Sequence, residues 1–358
     1  MRRAPFPCAL RIANTNRPSR NPNPHLNLIS IFFSAPRHRR HLSSATSGSK
    51  PSTADMPRLN PASQAAINRL RSFTPPPTNY DLVPLSRRAA VLLLLYGDSN
   101  GDLRVVLTIR ASTLSSYAGQ AALPGGKSDS QSESPLQTAR REASEEIGLP
   151  GLTSPLPPPF SVEHLGEIPC SLARTELVVR PVVALLHSHD EATGRDADPE
   201  TELIPRLDAR EVAAVFTAPF ADFLRVRPGE SGGDGEWYRG VWTEWWGTQW
   251  RMHQFHVPID PSRVIKPRPH DEEQQEAVHA LENQEQEQRR KSMSMSTETE
   301  TVTEQTRYRV FGMTARILVD VARIAYNRQP EFEHNAHTGD EELITRLRGR
   351  GRLGEAKM

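Results

Sequence analysis

The sequence predicts an α/β fold, and four stretches support that prediction. Residues 87–96, RRAAVLLLLY, and residues 103–110, LRVVLTIR, have the apolar content of buried strands, and the GDSNG between them is rich in turn residues. Residues 135–147 are bounded by helix start and stop signals, and apolar side chains recur at helical spacing over 317–325. We therefore expect strands that open as a hairpin, combined with helices.

Other segments extend this pattern along the chain. Residues 62–73 have helical periodicity and precede three prolines, whereas residues 175–186 and 211–220 have the composition of further strands. The tryptophan-rich residues 236–257 alternate like a hairpin. We expect the helix that contains Ile317 to close the domain.

Composition excludes several classes of function. Lys and Arg total 44 against 43 Asp and Glu, so no overall charge indicates a nucleic-acid partner. The two cysteines, Cys8 and Cys170, indicate neither a disulfide framework nor a zinc or iron–sulfur site. The longest apolar run, residues 89–95, is too short to cross a bilayer, so membrane insertion is not expected.

The chain divides into a domain and biased segments. Residues 1–55, basic and without acidic residues before Asp55, are typical of a disordered leader of the mitochondrial transit type. We expect the domain over residues 60–330, with a low-complexity insertion at 266–306 that cannot order itself well, and a disordered tail at 331–358. The final Ala356-Lys357-Met358 resembles a peroxisomal terminus. Organelle import receptors are therefore expected partners.

Three carboxylates crowd the end of the predicted helix. Ser134 and Gln137 have the form of a capping box, Pro135 suits the first turn and Gly148 suits the position after the last. Near that end, where the helix dipole disfavours anions, stand Glu142, Glu145 and Glu146, which face one side. The repulsion calls for a cation, and hard oxygens without nearby Cys or His select Mg²⁺ or Mn²⁺.

The stretch from Gly126 to Leu149 resembles the Nudix box. Its matching residues are Glu133, Arg141, Glu142, Ala143, Glu145, Glu146, Gly148 and Leu149. Gly126 stands fifteen positions before Arg141, one more than in the generic box, whose glycine position falls on Lys127. The same lengthening is typical of the coenzyme A diphosphatase branch.

An upstream signature strengthens the resemblance to that branch. It is matched by Leu107, Thr108, Arg110, Ala111, Gly119, Gln120, Leu123, Pro124, Gly125 and Gly126. The resemblance covers roughly residues 60–330 apart from the insertion, and it implies the Nudix α/β/α sandwich, a mixed sheet between helices.

The resemblance also implies roles for individual residues. Glu142, Glu145 and Glu146 would bind the catalytic Mg²⁺ or Mn²⁺, with Arg141 orienting a glutamate. Gly125 and Gly126 would let the loop approach the phosphates. A further carboxylate from a later loop is expected as ligand or base: Glu211 is our candidate, with Glu202 and Glu176 as rivals.

Substrate contacts follow from the same motifs. Arg110 and Lys127 would hold the 3′-phosphate or the diphosphate, and Gln120 would contact either the substrate or the loop backbone. The predicted reaction is hydrolysis of coenzyme A or a derivative to 3′,5′-ADP and 4′-phosphopantetheine or its acyl form. The alternatives are another nucleoside diphosphate derivative, such as NADH, ADP-ribose or a nucleotide cap, and a non-catalytic nucleotide-binding module.

Overall fold

The computed structural model describes residues 59–114, 118–190, 195–197, 199–203, 206–229, 236–269, 271–295 and 307–354. The predicted leader and the terminal tripeptide lie outside the described residues. None of the helices in the described part is long and apolar enough to cross a membrane.

The helices and short 3₁₀ turns alternate with strands along the chain. The helices are α1 (Pro61–Ser72), α2 (Pro135–Ile147), α3 (Pro199–Glu202), α4 (Glu272–Met295), α5 (Gly312–Tyr326) and α6 (Glu341–Gly349). The 3₁₀ turns are Tyr80–Leu82, Leu85–Arg87, Phe220–Leu224 and Pro261–Arg263. Helix α2 coincides with the predicted helix.

Strands β1 to β7 form most of the central sheet. They are β1 (Arg88–Gly97), β2 (Leu103–Arg110), β3 (Ala121–Ala122), β4 (Gly125–Lys127), β5 (Ser161–Glu167), β6 (Ser171–Leu172) and β7 (Val178–His187). The later strands are β8 (His189–Asp190), β9 (Arg195–Asp196), β10 (Val212–Pro219), β11 (Tyr238–Trp245), β12 (Thr248–Pro258) and β13 (Arg307–Phe311).

The central sheet is mixed, as the sequence predicted. Its order is β10-β2-β1-β7-β5, and the short β3, β4 and β6 pair with β2, β1 and β7. Strands β1 and β7 are parallel, whereas β1 and β2 form the expected antiparallel hairpin with Leu95 opposite Val105. A second sheet, β11-β12-β13, contains the predicted hairpin of β11 and β12.

Helices cover both faces of the central sheet, because apolar side chains of β1 alternate between two cores. Leu92 and Leu94 pack with Ala139 and Ala143 of α2, and Leu93 packs in a core that contains α1 and α5. The result is the expected α/β/α sandwich. Its layering places α2 beside the β4 strand that pairs with β1.

The segment 266–306 differs from the expected insertion. Its described part contains α4, in which Leu281 is 5% exposed and Gln274 is 4% exposed. Leu281 packs with Ala111 and Ala209. A helix with one narrow apolar stripe is stabilised when an existing surface covers that stripe, which composition alone does not reveal.

The prediction of a disordered tail at 331–358 is wrong for residues 331–354. Helix α6 buries Leu343, Ile344 and Leu347. Just before it, Asp340 accepts a hydrogen bond from the fully buried guanidinium of Arg316 at 2.6 Å. Tertiary polar partners, which the local composition does not show, therefore hold this segment.

We expect Asp340→Asn to lower the free energy of unfolding by about 3 kcal/mol, because it leaves the Arg316 charge buried without its counter-ion. Urea unfolding of the purified chain measures this. Glu342→Gln, on an exposed position of the same helix, is the control and should change little. Equal midpoints for the two variants would contradict the stabilising role of the pair.

Candidate active site

Helix α2 ends against the glycine strand β4, and local signals explain its position. The Ser134 hydroxyl accepts from the Gln137 N–H, the Gln137 side chain accepts from the Ser134 N–H, and Gly148 ends the helix with φ 69°. Ala139, Ala143 and Ile147 bury the opposite face in the sheet. The helix is therefore held at a defined rotation, which sets the direction of its carboxylates.

Glu146 is buried at the junction with β4. Its side chain is 4% exposed, and its Oε2 accepts the Gly125 N–H at 3.1 Å. Burial raises the pKa of Glu146 to about 8, and the charges of Glu142 and Glu211 act in the same direction, whereas Arg110 opposes them. A carboxylate in this position favours a positive partner.

Glu142 lies one turn earlier and faces the same loop. A Cβ atom on Gly126 would overlap the Glu142 carboxylate, so glycine at this position leaves room for that carboxylate beside the loop. Burial raises the pKa of Glu142, although Arg141 lowers it. Gly125 has φ 152°, and a Cβ on it would overlap the backbone of Ala90 and Val91. The two glycines thus bring the loop against both carboxylates.

Glu145 differs from the other two glutamates, although the sequence placed all three on one side. Its side chain is 56% exposed and its Oε2 accepts from Arg141 Nη1 at 3.2 Å. The same guanidinium donates to Glu142 Oε1 at 3.0 Å and to Glu133 Oε1 at 2.9 Å. Arg141 also donates to the Lys127 carbonyl at 2.8 Å. Arg141 therefore links the glutamates to the loop through hydrogen bonds.

Arg110 and Glu211 approach the carboxylates from neighbouring strand ends. Arg110 ends β2 opposite Val212 of β10, and Glu211 immediately precedes that strand. The Nε of Arg110 is buried and has no hydrogen-bond partner among the residues that the structure describes. Both residues interact electrostatically with Glu146. The structure thus brings together two residues that are a hundred positions apart in sequence.

The structure also places the four remaining candidates, Lys127, Gln120, Glu176 and Glu202. The Lys127 side chain is exposed, and the backbone carbonyl of Gln120 accepts the Arg110 N–H at 3.0 Å. Glu176 binds Arg352 at 3.0 Å and Arg87 at 3.5 Å. Glu176 is therefore engaged in ion pairs with two arginines. The rival Glu202 is exposed at the end of α3.

The donor chemistry fits a hard divalent cation bound partly by water and substrate. Among the described residues, no three His, Cys, Asp or Glu side chains converge as a complete metal cage. Mg²⁺ typically uses one or two carboxylates together with water and phosphate oxygens. Glu142, which is half-buried, and Glu146, which is buried, both have raised pKa values and are oxygen donors of that kind.

Comparisons with known proteins agree with this site. A family model described as the NUDIX domain matches residues 86–239. The uncharacterized Nudix hydrolase NudL of Cronobacter sakazakii is 33% identical over 163 residues, which cover 45% of this chain and 72% of that protein. The chain belongs to the Nudix hydrolase family.

Two eukaryotic relatives of this Nudix hydrolase extend the match. Peroxisomal coenzyme A diphosphatase 1 of Saccharomyces cerevisiae is 29% identical over 301 residues, 79% of this chain and 82% of the yeast protein. Nudix hydrolase 15, mitochondrial, of Arabidopsis thaliana is 30% identical over 246 residues, 69% of this chain. The match spans 61% of the Arabidopsis protein, which is less than two thirds of its length.

Sequence reasoning missed one contributor beside the site. Gln274 of α4 contacts the turn that precedes Glu211, accepting the Ala209 N–H at 2.9 Å and donating to Asp208 Oδ1 at 2.8 Å. Its signal was Asp271, which caps α4 by accepting the Gln274 N–H at 2.8 Å. Asp followed three positions later by Gln is a helix-start pattern within a segment that otherwise has low complexity.

Proposed function

We propose that this Nudix hydrolase cleaves the diphosphate of coenzyme A or a derivative, giving 3′,5′-ADP and 4′-phosphopantetheine or its acyl form, with Mg²⁺ or Mn²⁺. The observation that carries the reaction type is the placement of two carboxylates, the half-buried Glu142 and the buried Glu146, against the Gly125–Gly126 loop. The upstream signature and the similarity to a yeast protein named as a coenzyme A diphosphatase support the substrate class.

Different residues of the chain would bind the cation, orient its ligands and admit the substrate phosphates. A bound divalent cation would neutralise phosphate charge and activate water. Glu142 and Glu146, with Glu145 at the exposed edge, would hold it, and Arg141 keeps Glu142 oriented. The glycine loop lets phosphate oxygens approach closely, since Gly126 leaves no side chain between the loop and Glu142.

Arg110 is the candidate for recognition of a substrate phosphate. Within the described part of the chain its buried Nε lacks a hydrogen-bond partner, and its guanidinium can bind phosphate through two parallel hydrogen bonds. Lys127 and Gln120 remain candidates for weaker contacts at the loop. Glu211, whose charge acts on both Glu142 and Glu146, is the candidate for the additional ligand or general base.

The test compares coenzyme A with 3′-dephospho-coenzyme A on the purified chain with Mg²⁺ or Mn²⁺, with products resolved by mass. We expect release of 3′,5′-ADP and turnover of the dephospho form slower by about tenfold or more, because a charge-assisted contact to the 3′-phosphate is lost. Arg110→Ala should reduce the ratio between the turnover rates of coenzyme A and 3′-dephospho-coenzyme A. Addition of EDTA should stop turnover.

Other outcomes of this assay overturn parts of the proposal. Equal turnover of both substrates would retain the Nudix chemistry and exclude recognition of the 3′-phosphate. Turnover of NADH or ADP-ribose in preference to coenzyme A would show that the proposed substrate is wrong. Absence of turnover with either cation would favour a binding module.

The cellular location remains a separate proposal. The basic leader is consistent with mitochondria and Ala356-Lys357-Met358 with peroxisomes, and relatives carry both of those labels in their names. We propose that one or both compartments contain the protein. Imaging of fluorescent fusions tagged separately at each end distinguishes the two compartments. A purely cytosolic signal from both fusions would exclude both targeting signals.

A further inference from the structure

Helix α4 docks on the two chain segments from which Arg110 and Glu211 emerge. Leu281 packs with Ala111, the residue after Arg110, and with Ala209, two residues before Glu211. These two segments are also joined directly, because the Ala111 N–H donates to the Glu211 carbonyl at 2.7 Å. The helix therefore covers the place where β2 ends and β10 begins.

Gln274 makes the polar part of this docking. It is 4% exposed, although its neighbours on α4 from Glu272 to Glu276 are exposed. Its amide accepts the Ala209 N–H at 2.9 Å and donates to Asp208 Oδ1 at 2.8 Å. One side chain thus satisfies a buried donor and a carboxylate of the same turn.

The turn that Gln274 holds is connected to the buried glutamate. The Asp208 N–H donates to the Glu146 carbonyl at 3.1 Å, and the Asp208 carbonyl accepts the Glu211 N–H at 3.1 Å. The Asp208 carboxylate also accepts the Arg210 N–H at 2.9 Å. Burial opposes its ionisation, but hydrogen bonds from the Arg210 guanidinium and the Gln274 amide, together with the Arg210 N–H, lower its pKa to about 2, so it stays charged. Residues 208–211 form a compact turn between α2 and β10.

We propose that α4 is a positioning element of the active site and that Gln274 is the positioning residue through which it holds Glu211 beside Glu142 and Glu146. The inference goes beyond the Nudix reaction, since α4 lies outside the residues that the family model matches. It rests on the role proposed above for Glu211. Gln274 does not act on the substrate; it restrains the turn that carries the carboxylate.

The main test compares Gln274→Ala with Gln275→Ala in the full chain. Gln275 is the adjacent residue of the same type on the exposed face, so it is the matched control. We expect Gln274→Ala to lower kcat about tenfold or more with little change in KM, because small displacements of a catalytic group reduce rates strongly. Gln275→Ala should match the wild type.

Two further variants separate positioning from general loss of structure. Gln274→Met keeps the side-chain volume and removes both hydrogen bonds, so it should fold and lose kcat to the same extent as Gln274→Ala. In a Glu211→Gln background, Gln274→Ala should lower kcat no further, because its effect passes through Glu211. Independent, additive losses would overturn the proposal.

Hydrogen–deuterium exchange gives a measurement that requires no substrate. In Gln274→Met, peptides covering residues 206–214 should exchange faster, whereas peptides of α2 should keep their protection. Unchanged exchange at 206–214 overturns the proposal even if the wild type proves inactive on coenzyme A. If Glu211→Gln retains full turnover while Gln274→Ala does not, the positioning proposal fails and the proposed reaction stands.

Discussion

Glu146→Gln is expected to lower kcat by about a thousandfold, because a loss of roughly 4 kcal/mol of charge stabilisation in the transition state corresponds to that factor. The substitution removes the buried carboxylate at the glycine loop and retains the size of the side chain. Initial rates with coenzyme A at saturating Mg²⁺ measure the effect. Near-normal turnover would exclude Glu146 as a metal ligand.

The fold should tolerate this substitution. The Gln carbonyl oxygen can still accept the Gly125 N–H, and a neutral group no longer meets the burial penalty that raises the pKa of Glu146 to about 8. We therefore expect a melting temperature equal to or above that of the wild type when no metal is added. Glu244→Gln, the same change on an exposed strand position, is the control and should leave both rate and melting temperature unchanged.

Gly126→Ala is expected to reduce kcat/KM about a hundredfold, the loss produced when a catalytic group is displaced by about 1 Å. The added Cβ would overlap the carboxylate of Glu142 and none of the nearest contacts is backbone. The end of a glutamate side chain can move at low cost. The expected result is a folded protein with a misplaced carboxylate.

Gly151→Ala is the matched control for that substitution. A Cβ at Gly151 meets no heavy atom within 4 Å, and neither Gly126 nor Gly151 has a left-handed φ. Initial rates and thermal unfolding of the two variants separate an effect on activity from an effect on stability. Equal activity of Gly126→Ala and the wild type would show that Glu142 does not need its present position for turnover.

Local signals explain the elements that were predicted well. Ser134, Gln137 and Gly148 act within a few residues of the helix they bound, so α2 begins at Pro135 and ends at Ile147 as expected. Strand β2 likewise covers Leu103–Arg110, because its apolar run and the preceding turn are contiguous in sequence. The mixed sheet followed from the family resemblance.

The candidate site was predicted only in part, because its arrangement depends on contacts between distant segments of the chain. Helical spacing placed three glutamates on one side, but the exposed fraction of Glu145 and the burial of Glu146 depend on how the sheet and β4 cover α2. Glu211 was one of three candidate carboxylates. Its proximity to Glu142 and Glu146 arises from the pairing of β10 with β2, a contact between distant segments.

The segments with biased composition show the limit of local reasoning most clearly. Residues in α4 and α6 have few apolar side chains, so a composition argument favours disorder for both. In the structure, Gln274 and Leu281 dock α4 on surfaces formed by other strands, and the Arg316 guanidinium binds Asp340 at the start of α6. Such stabilisation comes from partners remote in sequence.

The sequence by itself therefore determined the Nudix box, the limits of α2 and the chemistry of its carboxylates, since each depends on residues within one turn or one motif. Only the tertiary structure decided that Glu146 is buried, that the charges of Arg110 and Glu211 act on it, and that α4 and α6 are ordered. Burial and long-range pairing depend on which surfaces meet after the chain has folded, and no local pattern specifies that.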